Sequence, residues 1–106
     1  MIILPYVADF FSGLFLCNCI PHLTCGLRGE PFPTPFAKPR GIGHSSSLLN
    51  FLWGSLNLLI GGSLLSLFPI LPGFHLAFIL FATGFLLTGA YAARHFEAVR
   101  LKKRNE

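Results

Sequence analysis

Two apolar runs, residues 48–68 and 74–93, contain no Asp, Glu, Lys or Arg, and nothing constrains the fold of this chain more. At about 1.5 Å of rise per residue, each reaches the roughly 30 Å of a bilayer hydrocarbon core as a helix. A third run, residues 2–20, is as long but carries one acid, Asp9, and a proline, Pro5, near its start. A chain of 106 residues that is 53% hydrophobic and 11% charged cannot give one soluble domain a normal polar surface. The expected fold is therefore all-α: a single integral-membrane domain, a three-helix bundle with spans at 2–20, 48–68 and 74–93. A structured Pro/Gly-rich loop at 21–47 and a basic tail at 94–106 complete it.

Residues 2–20 lack the basic n-region and the small-x-small site of a cleaved signal peptide, so an uncleaved span is expected. Orientation follows from the basic residues, because Lys and Arg in short loops stay cytoplasmic. Arg28, Lys38 and Arg40 fall in the first loop, and Arg94, Arg100, Lys102, Lys103 and Arg104 follow the third span. This predicts a multi-pass protein of the inner (plasma) membrane with its N-terminus outside and its C-terminus cytoplasmic. The net charge of +4 then suits anionic lipid headgroups rather than nucleic acid.

Two prolines and a glycine, Pro69, Pro72 and Gly73, stop the second span and reverse the chain into an antiparallel hairpin. In the first loop, Pro31, Pro33, Pro35 and Pro39 favour extended backbone, with Phe32 and Phe36 expected at the membrane surface.

Polar residues inside spans turn away from lipid. Asn50, Gly54, Asn57 and Gly61 share one face of the second helix, and Asp9, Gly13 and Cys17 share one face of the first. On the third, Ala77, Gly84, Thr88 and Tyr91 do the same. Small and polar residues on facing stripes make a packing seam. Depth measured from the expected span ends pairs Asp9 with Asn57 at midplane and Asn18 with Asn50 near the cytoplasmic face, with His22 and Trp53 close by. A lone midplane carboxyl favours its protonated form and can donate to Asn57. The same six residues, Asp9, Asn18, His22, Asn50, Trp53 and Asn57, are the candidate ligand-binding or polar path.

The stretch CNCIPHLTC places Cys17, Cys19, His22 and Cys25 together and raises a zinc or copper site. Cys17 and Cys19 stand about 200° apart on a helix, however, and C-x-C is not the usual zinc knuckle. No metal is expected, and a disulfide is disfavoured by a reducing cytoplasm. Haem would need paired histidines within spans, whereas His22, His44, His75 and His95 lie at edges or in the loop. No cofactor is expected. Lys38, Arg40, Ser45 and Ser46, at the start of the second helix, could hold an anion or a lipid headgroup, or a serine could simply cap that helix. No Walker motif and no serine with a spaced His and acid is present, so no catalytic residues are assigned.

Residues 18–57 read N-x-I-P-H-x-x-x-G-x-x-G-x-x-F-P-T-P-F-A-x-P-x-G-x-G-x-S-S-x-x-x-N-x-x-W-G-x-x-N. This block resembles one in a family of small bacterial multi-span inner-membrane proteins that carries no catalytic assignment. The resemblance implies a bacterial inner-membrane setting and a structured first loop. Its motif positions here would be Asn18, Pro21, His22, Phe36, Asn50, Trp53, Gly54 and Asn57. The expected role is association, as a homo-oligomer or an accessory subunit of a membrane complex. The alternatives are a small-molecule, ion or lipid binding or transport module on the polar path, or an enzyme or metal protein using His22 and the loop.

Overall fold

The computed structural model describes residues 3–71, 73 and 75–105. The expected span starts at Ile2 and Phe74, and the turn residue Pro72, lie outside the described residues. Three helices, α1 (Ile3–Leu27), α2 (Ser47–Leu67) and α3 (Leu76–Arg104), are long and apolar enough to cross a membrane. Between α1 and α2 runs a short antiparallel ribbon, β1 (Phe32–Pro33) and β2 (His44–Ser45), with Phe32 opposite Ser45 and Pro33 opposite His44. The bundle measures 49 × 24 × 21 Å. Helix α1 is its centre: α2 and α3 both pack along it and scarcely approach one another. The turn after α2 reverses the chain as expected, but the two helices it joins lie against different faces of α1.

Two helices run further than their apolar runs. Pro21 lacks an N–H and removes one rung of the helix ladder, yet α1 continues through it to Leu27. A helix that keeps its remaining bonds internal is still the cheapest backbone in an apolar setting. What ends α1 is Gly29, whose φ of 72° is open to glycine at little cost. Around it the Gly29 N–H bonds the Gly26 carbonyl at 3.1 Å and the Glu30 N–H reaches back to the Cys25 carbonyl at 2.9 Å, the paired bonds of a Schellman cap. The loop therefore begins at Arg28 rather than Pro21. At the other end of the sequence the basic tail is helical. Helix α3 extends to Arg104 and carries Lys102, Lys103 and Arg104 in its last turn, where cations offset the helix dipole.

The buried residues of α2 are Asn50, Gly54, Asn57 and Gly61, so its stripe faces the bundle. A Cβ at Gly54 would stand 2.8 Å from the Leu23 nitrogen, and one at Gly26 would stand 2.7 Å from the Phe51 nitrogen. Backbones this close exclude any larger residue. Gly13 and Gly84 do the same between α1 and α3, each abutting the other helix's backbone. Of the stripe expected on α3, Gly84 is buried, whereas Tyr91 is exposed and stacks on His95.

Candidate functional site

The densest polar arrangement lies where the first loop folds over the bundle. Asn50, in the first turns of α2, is fully buried. Its amide nitrogen donates to three backbone carbonyls, those of Phe32 at 2.9 Å, Ser45 at 3.2 Å and Ser46 at 3.0 Å. Its oxygen faces Nδ1 of His22 at 2.7 Å. Carbonyls accept only, so the orientation of this amide is fixed and the imidazole must donate from Nδ1. Neutral His22 then carries its proton on Nδ1 and leaves Nε2 as an acceptor. The ring sits in an aromatic cage, with centroids 5.5 Å from Phe32, 6.4 Å from Trp53 and 6.4 Å from Phe96. Phe32 and Phe96 close it at 4.5 Å. Phe32 is thus built into the bundle rather than resting at a membrane surface. Phe36 is exposed but lies edge-on to Trp53 at 5.1 Å.

Two further rungs join α1 to α2. The Asn18 amide donates to Asn57 Oδ1 at 3.0 Å, and Asn57 donates in turn to the Trp53 carbonyl at 2.7 Å. Ser12 donates to the Gly61 carbonyl at 2.8 Å. The partners expected from depth are therefore corrected. Asn57 meets Asn18 instead of Asp9, and Asn50 meets His22 instead of Asn18. The displacements along α1 are about two and a half turns for the first and about one turn for the second, both toward the stretch of helix that α1 gains beyond Pro21. Asp9 remains buried, and its Oδ1 has no hydrogen-bond partner among the described residues; the same holds for Trp53 Nε1.

The loop is tied to all three helices. Phe32 reaches the His22 ring on α1, Asn50 holds it from α2, and His95 of α3 donates from Nε2 to the Gly41 carbonyl at 2.7 Å. Within the loop, Thr34 is buried: its hydroxyl bonds that of Ser45 and accepts from the Phe36 N–H at 3.2 Å. The Thr34 carbonyl accepts from the N–H groups of Ala37 at 3.1 Å and Gly41 at 2.9 Å. Thr34, Phe96 and Ser12 escape the reading of the sequence, which weighs His95 only as a haem ligand. A threonine between two prolines signals a fixed turn, but the three helical residues are marked only by contacts across the fold.

The anion candidates are separated by their partners. Ser45 is engaged with Thr34, and Ser46 caps α2 by accepting from the Leu49 N–H at 3.1 Å. Lys38 and Arg40 are exposed and border a shallow dip that neither serine lines. The cysteines are likewise dispersed. Cys19 donates to the Leu16 carbonyl at 2.9 Å, Cys25 lies 3.8 Å from the Arg28 guanidinium, and Cys17 packs beside Gly89 on α3. Helix α1 does not unwind at Asn18, so Cys17 and Cys19 stay on different faces. Among the described residues no group of three or more His, Cys, Asp or Glu side chains is placed to hold a metal ion.

The chain matches no protein-family model, no curated protein and no solved structure. The resemblance carried by residues 18–57 gains no support from these comparisons, and the functional reading rests on the geometry.

Proposed function

We propose that the chain is a small multi-pass protein of an inner membrane that acts by association, presenting its clamped loop to a partner subunit or to further copies of itself. The observation that carries this is Asn50. A fully buried amide directed at three loop and cap carbonyls, with a histidine behind it, devotes a side chain with four hydrogen bonds to holding a surface in shape. An intramembrane transport path needs polar groups free to exchange partners, and here Ser12, Asn18, Asn50 and Asn57 are all engaged. The proposed orientation, N-terminus outside and loop cytoplasmic, rests on Arg28, Lys38 and Arg40 in the loop and the basic end of α3.

Native mass measurement after mild extraction tests the association. A species heavier than the monomer is expected, and Asn50→Ala should dissociate it while the helices remain. A monomer throughout would sink the reading. A second reading, proton or cation relay, is favoured only by Asp9, buried with one oxygen unpartnered. It requires that Asp9→Asn, which preserves shape, abolish flux in proteoliposomes.

A further inference from the structure

A groove of about 1070 Å³ opens beside the clamped loop, between residues 28–33 with His44 and the end of α3. Six charged residues line it, and they do not balance. Arg28 and Glu30 neutralise each other at 2.7 Å, which leaves Arg100, Lys103 and Arg104 against the single carboxylate of Glu97, with His44 alongside. Lys103 stands four and seven residues beyond Val99 and Phe96, so it shares their inward face of α3. Its ammonium is buried and has no hydrogen-bond partner among the described residues. An ammonium removed from water without an acceptor is costly. The positive potential is felt nearby: burial, and then the charge of Lys103, hold His44 below the usual imidazole range. The remaining wall is apolar, with Phe96, Val99 and Leu101 flanking the charges, at the height where α3 passes from its apolar run to its basic end.

We propose that this groove binds a phosphate group, with Lys103 beneath it and Arg100 and Arg104 at its rim. A phosphate offers several acceptor oxygens to these donors, and arginine forks fit it in pairs. The apolar flank suits the first carbons of an acyl chain, which makes an anionic phospholipid the favoured source over free phosphate. The site is distinct from Lys38 and Arg40, and it stands whether or not the chain associates with other subunits.

The test uses the full chain in mild detergent, offered phosphatidylglycerol with phosphatidylcholine, phosphatidylcholine alone, or millimolar inorganic phosphate, with bound molecules counted by native mass spectrometry. One phosphatidylglycerol should be retained. Arg100→Gln with Lys103→Gln should lower retention about tenfold, in line with the loss of charge-assisted bonds. Lys38→Gln with Arg40→Gln, which removes the same charge outside the groove, should leave it nearly unchanged. Lys103→Arg, which keeps the charge and the helix, should retain binding. Inorganic phosphate that binds the wild type and competes with the lipid, but not the Arg100/Lys103 double variant, would support the site with free phosphate as its source. Equal losses in the two double variants, loss in Lys103→Arg, or retention untouched by removing Arg100 and Lys103 would each overturn the proposal.

Discussion

Helix α1 is gripped on two faces by different means. Toward α2 the contacts are directional: Ser12 to Gly61, Asn18 to Asn57 and His22 to Asn50 form three hydrogen-bonded rungs. Toward α3 the grip is steric, with Gly13 and Gly84 letting the backbones touch and Cys17 lying beside Gly89. Among the described residues no side-chain hydrogen bond joins α1 to α3, and α3 is fastened instead through the loop by His95. Lipid cannot replace a hydrogen bond, whereas it competes readily with an apolar contact. The α2 seam should therefore fix register and the α3 seam only distance.

The sharpest break is Asn50→Ala. It takes the side-chain donor from the Phe32 and Ser45 carbonyls and the acceptor from the His22 N–H, while the Ser46 carbonyl keeps the backbone N–H of residue 50, and at about 1–3 kcal/mol for each group left unpaired in a buried site it should cost the most of any single change. Protease cleavage within residues 28–46 should accelerate strongly while helix content by circular dichroism stays high. A loop that stays resistant would mean that Thr34 and His95 suffice.

Next in size is the steric seam. Gly84→Val drives a branched side chain into the Phe10 carbonyl and should destabilise by about 1–3 kcal/mol, read as a fall in thermal midpoint in detergent. Gly62→Val is the control, since nothing lies within 4 Å of a Cβ there. If both behave alike, α3 does not pack where described.

A single rung costs less. Asn18→Ala should lower stability by about 0.6 kcal/mol and at most about 2, the range for interhelical hydrogen bonds in membranes. Cysteines replacing Asn18 and Asn57, in a chain lacking the native three, should bridge efficiently, whereas cysteines at positions 9 and 57 should not. The reverse result would restore the register drawn from depth.

The smallest effect is that of pH on the loop. The folded loop holds His44 below its usual value of 6.5 through burial and then Lys103, so the released loop takes up a proton more readily. Loop stability is then fully present above about 6.5 and declines as pH falls below it. His44→Gln should flatten the part of the protease sensitivity that appears between about pH 7.5 and 5.5.

The three helices and the buried face of α2 were legible because apolar length and a 3.6-residue repeat survive any tertiary context. Register was not, and one residue explains why. Pro21 reads as a stop, while the true stop is Gly29 with Pro31 beyond it, a C′ glycine followed by proline. Reading the end of α1 from Gly29 moves it by about two turns and carries the pairings in the direction found, to Asn18 with Asn57 and His22 with Asn50. The cage was harder to foresee, because Phe32, Trp53 and Phe96 come from three separate elements and no local pattern joins them.

The central position of α1 also has a consequence for synthesis. The helix made first is the one that owns Asp9, Ser12, Asn18 and His22, and its partners on α2 are translated about 30 to 50 residues later, seconds at ordinary elongation rates. In the membrane setting proposed above, its polar stripe has no mate during that interval and is left to the insertion machinery to shelter. A nascent chain halted after α1 should remain crosslinkable to the translocon, and one halted after α2 should be released into lipid.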